Sequence, residues 1–161
     1  MLLPISLVRQ RRQADCLVAC AKMALDYLLI PADYNWIRST LGTTDIGTPF
    51  SRLQRLQPRA ITVIQDEGNL SLLQIYLDSG LPIITDVRTW TLHHWRHRTD
   101  VDEQERDTDH AIVVVGLDQG NVYINDPDFA YAPIALEHDE FLAAWQEREN
   151  RYAVLQLTAD V

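Results

Sequence analysis

A cysteine placed for nucleophilic chemistry stands near the start of the chain. Cys16 follows Asp15, a residue type that commonly caps helices, and it opens an amphipathic run. A thiol in the first turn of a helix lies near unpaired backbone N–H groups and the positive end of the helix dipole. Both lower the pKa of a thiol from about 8.5. A thiolate nucleophile also needs a histidine to hold its proton and a group that orients this histidine.

The candidate partners of Cys16 lie far downstream, on two neighbouring segments that have the pattern of strands. His110 begins an apolar run, and Asp126 follows a second, shorter one. Gln10 stands six residues before the cysteine, where its side-chain amide can stabilise the oxyanion of a tetrahedral intermediate. We therefore predict a triad of Cys16, His110 and Asp126, with Gln10 as the oxyanion donor.

The turn between these two segments decides whether His110 and Asp126 share a face of the sheet. The Asp-Gln-Gly sequence that ends at Gly120 predicts a three-residue turn with a glycine bulge, in which Gly120 takes a positive φ. Leu117 would then pair with Asn121. In this register the two triad residues are diagonal neighbours on one face, about 7–8 Å apart at the backbone. A two-residue turn without a bulge would place them on opposite faces.

Together these residues resemble a known family: the papain-like cysteine peptidases that cut double-glycine leader peptides from bacteriocin precursors, and their stand-alone relatives. The matching motifs are short and are spread from about Pro4 to the C-terminus. They are Gln10, Asp15-Cys16 with Cys20 one turn on, Gly80-Leu81-Pro82-Ile83-Ile84, the His110 strand and Asn125-Asp126-Pro127. By matching position, the resemblance assigns the roles of nucleophile, base, orienting carboxylate and oxyanion donor to Cys16, His110, Asp126 and Gln10.

Two residues depart from the pattern of this family. Such proteins usually have glycine after the cysteine, where this chain has Leu17, and often glycine before the histidine, where it has Asp109. The resemblance implies a peptidase that acts on a peptide or protein through a thioester, without a cofactor. Two alternatives remain: a catalytically silent peptide-binding module, which Leu17 favours, and a transpeptidase or deamidase that uses the same triad.

Composition indicates a soluble globular protein in a reducing compartment. The 161 residues are 47% apolar and 23% charged, which predicts a single domain over residues 1–161. The net charge of −9 argues against binding to nucleic acid or anionic membranes. No run is long enough to span a membrane, and the N-terminus lacks the pattern of a secretion signal. Two cysteines four residues apart do not make a disulfide framework, so we expect a cytoplasmic protein.

The order of the predicted elements is that of an α+β fold. Helices come first and an antiparallel sheet follows, which agrees with the two-lobed papain-like fold that the resemblance implies. The first helix, 15–30, would be the buried central helix and would place Cys20 in the core. The other predicted helices are 32–41, 48–57, 69–79 and 139–149, and the predicted extended segments besides the hairpin are 60–65, 81–87, 131–136 and 152–157.

The segment 88–109 does not have a regular pattern throughout. It combines tryptophans and histidines with a charged run, which indicates either a solvated loop or a lid over the substrate. His93 and His97 have the spacing of two metal ligands on one helix face. Because no third ligand is evident nearby and no calcium-loop pattern is present, we expect no metal site.

Overall fold

A computed structural model gives the structure of residues 2–158, apart from the side chains of Pro58 and Arg59. Its α-helices are α1 (Cys16–Tyr27), α2 (Tyr34–Leu41), α3 (Leu70–Asp78), α4 (His93–Arg96) and α5 (His138–Gln146). Its strands are β1 (Ile61–Glu67), β2 (Ile83–Arg88), β3 (Asp109–Leu117), β4 (Asn121–Asn125), β5 (Ile134–Glu137) and β6 (Arg151–Leu157). Segments of 3-10 helix cover Phe50–Arg59, Thr89–Thr91 and Gln104–Arg106.

The six strands form one sheet in the order β1-β6-β2-β3-β4-β5, and every neighbouring pair is antiparallel. Helices cover both faces of this sheet. On one face α1 packs against alternate residues of β3, including Val113 and Val115, and α2 packs against α1. On the other face α3 packs against the intervening residues of β3, including Ile112 and Val114, and α5 packs against β2, β4 and β5. The predicted α+β class with a buried central helix is confirmed, and the segment predicted as a third helix is a 3-10 helix.

The central helix α1 is shorter than the sequence pattern indicated. The predicted end was residue 30, but α1 ends at Tyr27. Leu29 takes a left-handed conformation with φ 60°, and the N–H of Ile30 donates to the carbonyl of Leu25, which closes the helix. Cys20 is fully buried within α1, as predicted.

Asp15 occupies the N-cap position of α1, but its side chain does not cap the helix. Its carboxylate is fully buried and turns toward α2 instead. Oδ2 accepts a hydrogen bond from the Tyr34 hydroxyl at 2.9 Å, and Oδ1 accepts one from Nε of Arg38 at 3.1 Å. A buried carboxylate requires such partners. The residue before Cys16 is therefore fixed by side chains of α2 rather than by the helix that it opens.

The predicted turn of the β3–β4 hairpin is wrong. Leu117 lies opposite Val122, not Asn121. The N–H of Asp118 donates to the carbonyl of Asn121 at 3.0 Å, which leaves a two-residue turn. The Asp118 side chain accepts from the N–H groups of Gly120 and Asn121 at 2.9 and 2.8 Å. Gly120 does not take a positive φ, because these side-chain bonds close the turn without one.

The extra residue lies inside β3, at Val115. Val114 pairs with Ile124, whereas Gly116 pairs with Tyr123, so the register shifts between them. The carbonyl of Val115 accepts a hydrogen bond from the N–H of Leu3 at 2.8 Å, so the N-terminal segment pairs with the bulged residue. The bulge at Val115 supplies the extra residue that was expected in the turn. The start of β3 and the end of β4 therefore have the predicted strand register, and their side chains lie on the predicted faces of the sheet.

The conformations of the glycines give a matched test of this hairpin. Gly80, just after α3, has φ 77°, whereas Gly120 has no positive φ, and a Cβ there would make only an ordinary van der Waals contact, 3.8 Å from Oδ1 of Asp118. Gly80→Ala should lower the free energy of unfolding by about 1 kcal/mol, because alanine resists the left-handed region. Gly120→Ala should change it by less than about 0.5 kcal/mol. Urea denaturation measures both, and equal losses would contradict the described turn.

Candidate active site

Three elements bring the predicted triad together. Cys16 is the first residue of α1, His110 lies in β3 and Asp126 directly follows β4. Nε2 of His110 is 2.7 Å from Oδ1 of Asp126, and both side chains are buried. Cys16 is half-buried and lines the cleft beside His110. Because Asp126 engages Nε2, the remaining ring nitrogen Nδ1 is the one available to the thiol.

The carboxylate of Asp126 is held by four hydrogen-bond donors. Oδ1 accepts from His110 and, at 3.0 Å, from the N–H of Asp128. Oδ2 accepts from Nε2 of His94 and from Nε1 of Trp95, each at 2.9 Å. Burial raises the pKa of this carboxyl, but the charge of His110 and the bonds to both histidines hold it well below its ordinary value. Asp126 therefore remains ionised.

The ionised Asp126 sets the charge of His110. Burial lowers the pKa of His110, but the charge and hydrogen bond of Asp126, together with the contact to Cys16, outweigh burial and raise it well above its ordinary value. An imidazolium beside a thiol favours the thiolate. Burial, with the nearby Cys16 and Asp126, raises the pKa of Cys20, so that the second cysteine stays a thiol.

The cleft extends on both sides of Cys16. One cavity has a volume of about 450 Å³ and the other about 520 Å³. Cys16, His110, Asp109, Ile46 and Gly47 line both. Cys16 and His110 therefore lie between two adjoining cavities, which together can hold an extended chain that runs across Cys16.

The two residues that depart from the family pattern have defined places in this groove. Leu17 lines the first cavity but is only 3% exposed, because α1 directs it into the core. Asp109 lines both cavities and forms ion pairs with Arg88 at 3.0 Å and with Arg148 at 3.4 Å. Arg148 also donates to the buried carboxylate of Asp86 at 3.1 Å. The wall beside His110 is thus a network of paired charges.

Gln10 lies in the same groove as Cys16, but its amide is engaged. Its side chain lines the second cavity, and its backbone N–H donates to the carbonyl of Pro127 at 2.9 Å. Nε2 donates to the carbonyls of Arg12 and Gln13 at 3.2 and 2.8 Å. Oε1 is buried and has no hydrogen-bond partner among the described residues. Both amide hydrogens of Gln10 are therefore used within the N-terminal loop in this structure.

The sequence analysis did not identify His94 and Trp95 as partners of Asp126. They belong to the segment 88–109, which is not a solvated loop throughout, because Trp95 is buried and its ring packs edge-on against His110 with centroids 4.9 Å apart. The only signal was a group of aromatic residues and histidines in a polar stretch. The rings of His93 and His97 pack together at 4.2 Å. Residues 2–158 contain no cluster of three side chains able to hold a metal ion.

Comparison with known proteins gives a family match over nearly the whole chain. The model of the Peptidase_C39 like family matches residues 2–153. No curated protein shows a significant match. No helix within residues 2–158 is both long enough and apolar enough to cross a membrane.

Solved structures share the fold at low sequence identity. A C39-like peptidase from Bacillus anthracis has a TM-score of 0.72 and 17% identity, covering 97% of this chain and 96% of that one. The peptidase domain of Streptococcus ComA, a bifunctional ABC transporter, has a TM-score of 0.71 and 18% identity, covering 94% and 97%.

A third structure contains a bound peptide. It is a double glycine motif protease from an AMS/PCAT transporter in complex with the leader peptide, with a TM-score of 0.69 and 15% identity, covering 98% of this chain and 94% of that one. Identities this low show a shared fold, whereas the family model matches the sequence itself from Leu2 to Ala153. This chain belongs to the C39-like peptidase family.

Proposed function

We propose that this protein is a cysteine peptidase that hydrolyses a peptide bond, with Cys16 as nucleophile, His110 as base and Asp126 as orienting carboxylate. The observation that supports this most is the buried 2.7 Å pair of His110 and Asp126 beside Cys16, at the centre of an open groove. We also propose that residues 1–161 form one domain. The free thiols Cys16 and Cys20 fit a reducing, cytoplasmic location.

In the proposed reaction, Nδ1 of His110 holds the proton of the Cys16 thiol. The thiolate attacks the carbonyl carbon of the scissile amide, and the carbonyl oxygen becomes an oxyanion. The N–H of Cys16, which precedes the hydrogen-bond ladder of α1, can donate to this oxyanion. His110 then gives its proton to the leaving amine, and a water molecule activated by His110 hydrolyses the thioester.

Gln10 is the proposed second donor to the oxyanion. In this role Nε2 would break one of its two hydrogen bonds to backbone carbonyls and donate to the substrate oxygen instead. The bond to the carbonyl of Arg12, at 3.2 Å, is the longer and therefore the weaker of the two. The buried, unpartnered Oε1 shows that the present amide contacts are incomplete. Gln10 would therefore complete the oxyanion site when a substrate enters the groove.

A peptide chain is the proposed substrate, because the groove is open on both sides of Cys16. A side-chain amide enzyme such as a deamidase would need one narrow slot rather than two adjoining cavities. The related protease bound to a leader peptide suggests peptides with a Gly-Gly or Gly-Ala cleavage site as first substrates. The second candidate function is a silent peptide-binding module, which the engaged amide of Gln10 favours.

Thiol labelling separates these two functions. Iodoacetamide at neutral pH should modify Cys16 well before Cys20, because Cys20 is fully buried and its pKa is raised by that burial. His110→Ala should slow the labelling of Cys16 by about 10-fold or more, since a thiol without the imidazolium is only a few per cent thiolate. The Cys20→Ala variant is the control and should label at the wild-type rate. Equal labelling of both cysteines would contradict the proposal.

The proposed role of Gln10 is tested against a neighbour of the same type. Gln10→Ala should lower kcat and kcat/KM together by about 10²–10³-fold and leave KM nearly unchanged, because the bond forms in the transition state. Gln13 lines the same cavity and contributes only its carbonyl to Gln10. Gln13→Ala should therefore keep nearly full activity. Wild-type turnover by Gln10→Ala would rule out the oxyanion role.

The pH profile tests the role of Asp126. Since Asp126 raises the pKa of His110, removing its charge should lower that pKa. The high-pH limb of kcat/KM, which reports loss of the His110 proton, should then move to lower pH in Asp126→Asn. Asp128→Asn keeps the N–H that donates to Asp126 and should leave the limb in place. A limb that moves in neither variant, or equally in both, would contradict the assignment.

A further inference from the structure

A second histidine contacts the carboxylate of the proposed triad. Nε2 of His94 lies 2.9 Å from Oδ2 of Asp126, on the opposite oxygen from His110. The side chain of His94 is only 6% exposed. Water therefore competes little for this hydrogen bond, and a bond to an ionised group in such surroundings is among the stronger ones in proteins.

The surroundings of His94 determine where its proton lies. An ionised carboxylate only accepts hydrogen bonds, so Nε2 of His94 must be the donor to Asp126. Nδ1 of His94 is buried and has no partner among the described residues. A proton on Nδ1 would be an unsatisfied buried donor, which is unfavourable. In the neutral form of His94 the hydrogen therefore lies on Nε2, and the ring donates to Asp126 without neutralising its charge.

His94 is also held by two contacts that do not involve the Asp126 carboxylate. The backbone N–H of His93 donates to the carboxylate of Glu140 in α5 at 2.5 Å. The ring of His94 packs against Phe129, with centroids 4.7 Å apart. The bond to α5 and the contact with Phe129 hold the His94 ring in place beside Oδ2 of Asp126. It therefore acts as a fixed point for Oδ2.

We propose that His94 is a positioning residue that holds the Asp126 carboxylate against His110. The proposal rests on the peptidase function proposed above, and it extends the triad by one neutral histidine that transfers no proton. Without His94, Oδ2 would keep only the donor of Trp95. The carboxylate could then rotate about its Cβ–Cγ bond, and its hydrogen bond to His110 would weaken.

A pair of variants separates this role from simple packing. Nε2 of glutamine can reach the position of the imidazole Nε2, so His94→Gln keeps a neutral donor, whereas His94→Leu removes it. NMR titration of the His110 ring should give a pKa about one pH unit lower in His94→Leu than in the wild type, and nearly the wild-type value in His94→Gln. With a cleavable peptide, His94→Leu should lose about 10-fold or more in kcat/KM at an unchanged KM, and His94→Gln should restore most of it.

A measurement on the wild type keeps the proposal testable if His94→Leu does not fold. The ¹⁵N shifts of the His94 ring at neutral pH should be those of the neutral tautomer with hydrogen on Nε2. An Nδ1–H tautomer or an imidazolium would overturn the proposal, as would a His110 titration that is identical in all three proteins. Neither NMR measurement requires turnover. A wild-type protein that cleaves no peptide therefore refutes the proposed function, whereas an unchanged titration refutes only the role of His94.

Discussion

The buried carboxylate of Asp126 is the constraint on which the site depends. An ionised group with no exposure is tolerated only when donors surround it. Here the donors come from β3 through His110, from α4 through His94 and Trp95, and from the loop that follows β4 through Asp128. These elements must all be in place for the charge to be buried, so the sheet and the covering helix are fixed together around one carboxylate.

A second buried carboxylate fixes the other side of the reactive pair. Asp15 immediately precedes Cys16 and is held by Tyr34 and Arg38 of α2. Cys16 and His110 are thus anchored by two networks, one around Asp15 and one around Asp126. Such anchoring reduces the movement of both groups, which the proposed roles of nucleophile and base require before a substrate arrives. In the proposed function, the groove then positions the peptide across them.

The sequence alone was enough to predict features that depend on a local residue pattern or on a geometric requirement of the chemistry. The helical and strand periodicities predicted the α+β class and the core position of Cys20. The requirement that His110 and Asp126 share a face was also sound. The predicted position of the extra residue was wrong, since it is Val115 in β3 and not a residue of the turn. The carbonyl of Val115 accepts a hydrogen bond from the N–H of Leu3, which is distant in sequence. Periodicity shows which face a residue occupies, but it does not show where a bulge is accommodated.

The residues that sequence reasoning missed act across long separations. His94 and Trp95 lie 32 and 31 residues before Asp126 in the sequence, and no sequence pattern predicts that α4 packs beside this carboxylate. Asp15 has the position of a helix cap, and only the structure shows that α2 takes its side chain instead. In both cases a polar side chain makes a buried contact with a residue distant in sequence, and its local sequence pattern does not predict that contact.

The most direct test of the central claim is the crystal structure of the protein treated with a peptide that ends in glycine aldehyde. An aldehyde carbon attacked by a thiolate forms a hemithioacetal, whose oxygen occupies the place of the oxyanion. We predict a covalent bond from Cys16 Sγ to this carbon, with the new oxygen within hydrogen-bonding distance of the Cys16 N–H and of Nε2 of Gln10. A peptide bound in the groove with Cys16 unmodified would contradict the account and identify the protein as a silent binding module.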